Sequence, residues 1–313
     1  MTDSISSRFE AVRDEIKKVI LGQEALIEQA LIGLLAGGHV IVEGVPGLAK
    51  TLFAKALAAS LDLKYQRIQF TPDLMPSDLI GTNVFQPDTQ SFRFIQGPVF
   101  ADIVLADEIN RTPAKTQSAL LEAMEERQVS ADGNTYPLPP GFFVIATQNP
   151  VEYEGTFPLP EAQIDRFLLK IRLTYPTPAD ELRLLQTSEG PAPSIAEIRP
   201  AATSADLMEV REAIRKITFD GALYDYVLRL VAASRNNPQI ALGASPRAGL
   251  GWVHAARVLA ALRGRDYATP DDVKELAAPV LRHRLVLAPE AAIEGLQADA
   301  VIEQLLSSVE VPR

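Results

Sequence analysis

Cysteine is absent from this 313-residue sequence, and histidine is scarce. Without cysteine the chain has no disulfide, no thiol nucleophile and no thiolate zinc site. The three histidines, His39, His254 and His283, show neither a helical metal-binding spacing nor an adjacent pair of carboxylates, so we expect each to be structural. A nucleophile elbow and a Ser-His-Asp arrangement are also missing, which removes the usual signs of covalent hydrolysis.

Long apolar runs and an excess of positive charge are missing as well. No run approaches the ~20 apolar residues of a membrane-spanning helix, and the polar residues 1–7 lack the pattern of a signal peptide. The net charge of −10 argues against a general electrostatic attraction to DNA, RNA or anionic membranes. We therefore expect a soluble, cytoplasmic protein, long enough for two domains.

A glycine-rich segment lies between a strand-like run at residues 40–43 and a helix-like run at residues 52–60. It reads Gly44-Val45-Pro46-Gly47-Leu48-Ala49-Lys50-Thr51. A turn of this kind directs backbone N–H groups toward an anion, and the helix N-terminus adds partial positive charge. Lys50 can reach the β- and γ-phosphates of a nucleotide while the Thr51 hydroxyl ligates Mg²⁺. These eight residues and Leu52 are the candidate phosphate contacts, the alternative being a plain turn with a solvated lysine.

One position of this loop departs from the usual pattern, which has glycine before the lysine. The residue there is Ala49. Alanine replaces glycine without strain only where φ is negative, so the sequence predicts a helical backbone at Ala49.

A second decisive stretch, residues 103–108, combines four apolar residues with two carboxylates, Asp107 and Glu108. The apolar run is typical of a parallel strand buried on both faces, and ligands bind at the carboxyl ends of such strands. Adjacent acids point in different directions. Asp107 can therefore serve the Mg²⁺ shell while Glu108 orients and polarises the attacking water.

Other strands and two hairpins are predicted before residue 175. Strands are expected at residues 65–70, 142–147 and 168–173, with hairpins at 84–94 and 129–136. Asn149, after the third apolar strand, is suited to sense a γ-phosphate or position water; ordinary turn chemistry is the alternative. The first hairpin is either a surface feature or a loop that contacts a substrate.

Beyond residue 175 the strand signal weakens and helices dominate. We expect an α/β nucleotide-binding domain at 1–175, a connecting helix and linker at 176–203, with linker composition at 190–194, and an α-helical domain at 204–313. Trp252 lies at helical spacing with Ala256 and Leu259 and is predicted to be a core residue.

Taken together, these motifs resemble those of AAA+ ATPases, and more narrowly the MoxR-type family, over nearly the whole chain. The loop at 44–51 is similar to the family's GVPGLAKT, including its alanine. Residues 107–111 resemble Walker B and 146–150 resemble sensor 1. Residues 154–167 resemble the segment that carries an arginine finger, and 243–247 resemble sensor 2.

The resemblance implies a P-loop core with a five-stranded parallel sheet, followed by an α-helical lid. It implies ATP and Mg²⁺ as cofactors, Arg166 as a trans-acting finger, and Arg247 as a lid residue that reports nucleotide state. Ile20, Leu21 and Gly22 would line the adenine pocket. The resemblance also implies a homo-oligomer in the form of a hexameric ring that remodels or activates a separate client protein, often one with a von Willebrand A domain.

Two other functions compete with this one. A nucleic-acid motor or loader would use a basic pore built from Arg93, Lys115 and Arg127, although the acidic balance makes nucleic acid an unexpected partner. A nucleotide-dependent scaffold without turnover would not need Lys50, Asp107, Glu108 and Arg166 together. For Arg166 the structural alternative is an ion pair with Asp165 or Glu161.

Overall fold

A computed structural model describes residues 2–149, 155–187 and 194–312 of the chain. The α-helices are α1 (Thr2–Lys17), α2 (Glu24–Leu35), α3 (Lys50–Ser60), α4 (Pro76–Ile80), α5 (Ala114–Glu126), α6 (Glu161–Ile164), α7 (Pro178–Thr187), α8 (Ser204–Ile214), α9 (Gly221–Asn236), α10 (Pro246–Leu262), α11 (Pro270–Leu281), α12 (Pro289–Ile293) and α13 (Ala298–Ser308). The strands are β1 (Val40–Glu43), β2 (Tyr65–Gln69), β3 (Gly81–Gln86), β4 (Ser91–Gln96), β5 (Ile103–Asp107), β6 (Gln128–Ala131), β7 (Asn134–Pro137), β8 (Phe143–Gln148), β9 (Leu169–Arg172), β10 (Ile240–Leu242) and β11 (Val286–Leu287).

The predicted five-stranded parallel sheet is confirmed, with strand order β2-β5-β8-β1-β9. Its central strands are apolar up to their carboxyl ends because helices cover both faces. Alternate residues enter different cores: Val40 and Val42 join one buried cluster with α1 to α3 and the C-terminal helices, whereas Ile41 joins a second cluster with α5. This arrangement brings the carboxyl ends of β1, β5 and β8 to one edge of the sheet.

Both predicted hairpins are present. The first is β3–β4 and the second is β6–β7. The Phe94 and Tyr136 rings stack near the bases of the two hairpins, with centroids 4.0 Å apart. Asn83 of the first hairpin donates a hydrogen bond to the carboxylate of Asp132, which lies in the turn of the second. The tip of the first hairpin, residues 87–90, is exposed.

The C-terminal region is helical, as predicted, and is anchored on the α/β part. Trp252 is fully buried, and its indole N–H donates to the Val273 carbonyl at 2.8 Å. The small β10–β11 sheet and α12 were not predicted, because strands of two or three residues are too short to display a period. Most of the linker predicted at 190–194 lies outside the described residues.

Two of the three histidines are buried. His39 accepts a hydrogen bond from the Val144 N–H at 3.0 Å, and burial, assisted by the nearby Arg127 charge, lowers its pKa to about 3. His283 lies against the Phe167 carbonyl at 2.9 Å, and burial lowers its pKa well below the usual value. Both rings are therefore neutral at pH 7.

Candidate nucleotide-binding site

One cavity of about 410 Å³ brings together the main motifs identified in the sequence. It is lined by residues 46–52 of the glycine-rich loop together with Asp107, Glu108 and Asn149. The loop follows β1, the two acids end β5, and Asn149 follows β8, so the parallel strands deliver all three groups to one edge. Gly44 and Val45 lie at the start of the same loop.

The backbone of the loop is compact and carries two residues with positive φ. Gly47 has φ +88°, a value that glycine adopts without strain. Lys50 is the first residue of α3, and its ammonium donates to the Gly44 carbonyl at 2.6 Å, across the mouth of the turn. The ammonium is thus already positioned over the loop where an anion would bind.

The prediction for Ala49 is wrong. Its φ of 57° and ψ of 20° are left-handed rather than helical. The cost of positive φ for alanine is only about 1–2 kcal/mol, so the surrounding structure can impose it. The turn from β1 into α3 requires this conformation, and the exposed Ala49 side chain meets no crowding there.

Asp107 has both carboxylate oxygens engaged by neighbouring strands. Oδ1 accepts a hydrogen bond from the Thr147 hydroxyl at 2.7 Å, and Oδ2 accepts from Arg67 at 2.7 and 3.0 Å. A carboxylate offers about four lone-pair sites, so room for a metal or its water ligands remains.

Glu108 is held in a second, connected set of bonds. Its N–H donates to the Thr147 hydroxyl at 2.9 Å, and its Oε2 accepts from Gln69 at 2.8 Å and Arg111 at 3.0 Å. Its backbone has φ 59°, an unusual value for glutamate. Strained residues of this kind cluster at functional sites.

Sequence reasoning missed Arg67 and Gln69, which alternate on β2 and face the two acids. The signal that would have found them is the parallel register of β2 with β5, in which Gln69 lies beside Asp107. Residues two apart on a strand share a face.

Arg166 and Arg247 do not line this cavity. Both instead contact Glu125 near the end of α5: Arg166 Nε lies 3.5 Å from Oε2, and Arg247 donates to Oε1. The sequence offered Asp165 and Glu161 as alternative ion-pair partners for Arg166. Among the described residues, neither of them pairs with it, and Glu125 does.

Asp165, next to Arg166, is bound by the C-terminal region. Its carboxylate accepts from Arg284 at 2.6 Å and from the Ser245 hydroxyl at 2.9 Å. The Arg284 side chain is only 3% exposed and also donates to the Phe167 and Leu168 carbonyls. Burial lowers the pKa of Arg284, while Asp165 opposes this shift.

The predicted adenine-contacting residues lie apart from the phosphate cavity. The Ile20 side chain is in the core, Leu21 is half-buried, and Gly22 has φ +69°. A side chain at Gly22 would meet Pro176 and Asp180, which shows how closely this turn approaches the segment after β9.

A nucleotide and Mg²⁺ fit the donor set of this cavity. The loop supplies backbone N–H groups and a lysine, and Thr51 and Asp107 supply oxygen ligands of the type that Mg²⁺ takes alongside phosphates. Within the described residues there is no cluster of three or more acidic or histidine side chains suited to hold a metal alone.

Comparison with known proteins agrees with this fold. The model of the ATPase family associated with various cellular activities (AAA) matches residues 39–169, and that of the AAA lid domain matches residues 232–305. A crystal structure of a candidate ATPase from Cytophaga hutchinsonii superposes with a TM-score of 0.93 and 43% identity, covering 100% of this chain and 97% of that one. Fold and site thus define an AAA+ ATPase with a C-terminal lid.

Relatives narrow the family further. The chain is 47% identical to Chaperone MoxR1 of Mycobacterium tuberculosis, over 96% of this chain and 81% of that protein. It is 34% identical to Protein MoxR of Methylorubrum extorquens, over 91% and 88% of the two chains, and 46% identical to YeaC of Bacillus subtilis, over 96% and 93%. The chain belongs to the MoxR-type AAA+ ATPases.

Proposed function

We propose that the chain hydrolyses ATP to ADP and phosphate and uses the energy to remodel or activate a separate client protein. The observation that carries the proposal is the single cavity containing Lys50, Thr51, Asp107, Glu108 and Asn149. Lys50 and the loop amides bind the phosphates, and Thr51 and Asp107 hold Mg²⁺, which neutralises charge on the phosphates when bound. In this proposal Glu108 orients the attacking water and Asn149 senses the γ-phosphate.

The site is completed, in this proposal, by a neighbouring copy. Arg166 and Arg247 lie outside the cavity of their own chain and are held by Glu125. In a ring, which we propose to be a hexamer, the finger of one subunit would leave Glu125 and stabilise charge that develops at the next subunit's γ-phosphate.

The client is proposed to be a protein, because relatives include one named a chaperone and because a hairpin projects apolar side chains. Phe92 is 72% exposed, and Phe85 and Ile95 are each 50% exposed on β3 and β4. Exposed aromatic groups carried on a rigid scaffold suit contact with protein segments. A client with a von Willebrand A domain is the finer proposal that the family resemblance supports.

The nucleic-acid alternative is weakened by the position of Arg127. This residue ends α5 and donates to the Phe142 carbonyl at 2.6 Å and to the Gly37 carbonyl, so its charge is not directed into a pore. Arg93 and Lys115 remain exposed.

The described residues also contain no helix with the length and hydropathy needed to cross a membrane.

Phosphate release by Glu108→Gln tests the hydrolytic step. The amide keeps the size of the side chain but cannot act as a base, so we expect a loss of about 10²- to 10⁴-fold with ATP binding retained. Glu122→Gln, on the exposed side of α5, is the matched control. Hydrolysis near the wild-type rate in Glu108→Gln would remove Glu108 from this role.

Client capture tests the remodelling step. In the presence of ATP, a specific client protein should co-purify with Glu108→Gln protein but not with Lys50→Ala protein. Nucleic acid that stimulates ATPase activity, with a steep dependence on salt, would favour the motor function instead.

A further inference from the structure

A second cavity, of about 380 Å³, lies at the opposite end of the sheet from the nucleotide loop. Gly37, just before β1, contributes to its wall, whereas the nucleotide loop follows β1. The remaining wall comes from both the α/β part and the C-terminal helices. We call it the arginine cavity, because it is lined by Arg127, Arg211, Arg215, Arg257 and His254.

Two of these arginines donate hydrogen bonds to main-chain carbonyls, which gives each a structural role. Arg127 donates to the Gly37 and Phe142 carbonyls. Arg211 donates to the Leu34 carbonyl at 2.7 and 3.1 Å and to the Pro140 carbonyl at 2.9 Å. The carbonyls of Leu34 and Gly37 lie at and just beyond the C-terminal end of α2, where few N–H groups remain to pair with the last carbonyls.

The other two arginines have no such role. Arg257 donates to the Tyr224 hydroxyl at 2.8 Å and lies over the Phe219 ring, but its Nε is buried without a hydrogen-bond partner. Arg215 forms an exposed ion pair with Glu212 at 2.9 Å. Exposed pairs of this kind contribute little to stability.

The charge of the cavity is largely uncompensated. Among the described residues, Arg127, Arg211 and Arg257 have no carboxylate within ion-pair distance, although the chain as a whole carries −10. Burial, followed by the charges of Arg127 and Arg215, lowers the pKa of Arg211 to about 10. Burial, followed by Arg257 and Arg215, lowers the pKa of His254. The cations thus repel one another, and a bound anion would relieve that repulsion.

We propose that the arginine cavity binds a small organic molecule with two or more phosphoryl groups. Guanidinium groups bind phosphate oxygens in bidentate geometry. Because several guanidinium groups line this cavity, a ligand with more than one negative charge would compensate them best. Leu138, Pro139 and Ile214 provide apolar wall for the carbon part of the ligand. The recessed shape and limited volume favour a small molecule over a polynucleotide. The ligand would bridge the α/β part and the C-terminal helices.

Calorimetry with inorganic tripolyphosphate, without Mg²⁺, tests the proposal on the full chain. The background is Lys50→Ala, because the nucleotide loop also binds phosphates. We expect one molecule to bind, and Arg215→Gln together with Arg257→Gln to weaken it at least tenfold. These two positions are chosen because neither holds a main-chain carbonyl, and circular dichroism checks their folding. Arg229→Gln, which removes one positive charge from a half-exposed position on α9, should leave the affinity unchanged.

Hydrogen exchange locates the bound probe independently. Tripolyphosphate should protect amides near residues 34–37 and 211–215 in the Lys50→Ala background. The proposal fails if no binding occurs, if the double substitution has no effect, or if Arg229→Gln weakens binding equally. Protection confined to residues 44–51, or equally tight binding of citrate, would also overturn it.

Discussion

The two halves of the candidate site differ in how far a single chain assembles them. Lys50, Asp107, Glu108 and Asn149 share one cavity, and each acid is held by hydrogen bonds from adjacent strands. Arg166 and Arg247 are paired with Glu125 outside that cavity. Groups on one sheet edge are therefore preorganised by the fold, whereas the two arginines contact Glu125, which a neighbour's nucleotide would replace in the proposed ring.

Arg166→Ala gives the largest expected effect. A finger that stabilises the γ-phosphoryl charge contributes roughly 10³ to 10⁵ in rate. We expect phosphate release to fall by about this factor. Mixing Arg166→Ala with Lys50→Ala should restore part of the activity, because the Lys50→Ala subunit lends its arginine to a neighbour's intact site.

The control for this experiment is Arg229→Ala, which removes a half-exposed arginine from α9. An inactive mixture, although mixed rings form, would contradict the trans-acting role. Normal hydrolysis by Arg166→Ala would do the same.

Lys50→Ala tests the cavity that is formed within a single chain. The substitution removes a charged donor from the phosphates, and hydrogen bonds to charged groups contribute about 1.5–3 kcal/mol. ATP affinity in calorimetry should fall by about 10- to 100-fold, together with turnover. Lys55→Ala, exposed on α3, is the matched control. Unchanged affinity would mean that the loop is misassigned.

Asp165→Asn tests whether the C-terminal region positions the finger. The change removes the carboxylate that neutralises the buried Arg284, and we expect a loss of about 1–3 kcal/mol in urea unfolding. Asp225→Asn, which breaks an exposed pair, should cost under about 1 kcal/mol. The folded Asp165→Asn protein should also hydrolyse ATP slowly by itself and regain part of the activity when it is mixed with Lys50→Ala protein, whose own Arg166 is still positioned. Hydrolysis near the wild-type rate by Asp165→Asn protein alone would leave Asp165 with a stabilising role only.

Shortening the tip of the first hairpin at residues 87–90 gives the smallest expected effect on stability. The tip is exposed, so the free energy of unfolding should change by less than about 0.5 kcal/mol while client-stimulated ATPase activity falls. Phe94→Ala, at the stacked base, is the contrasting variant and should cost about 1 kcal/mol or more. A large loss of stability on trimming would make the tip a packing element.

The sequence predicted the sheet and the cavity well, because both depend on local patterns. Apolar runs identify β1, β5 and β8, and parallel pairing then brings the motifs at their carboxyl ends together. Contacts between distant segments were not predictable in this way. Gln69 and Glu108 are 39 residues apart, and Glu125 meets Arg247 across 122 residues. The prediction for Ala49 was wrong for another reason. The preference of alanine for negative φ is only about 1–2 kcal/mol, and the geometry of the loop outweighs it.

The arginine bonds at both ends of the molecule have a mechanical consequence. Arg211 ties α8 to the end of α2, and Arg284 ties the segment after α11 to residues 165–168. A swing of the lid against its own sheet would break both sets of bonds at once. We therefore expect each subunit to move as one rigid body. In a ring, any displacement caused by hydrolysis would then occur at the interfaces between subunits.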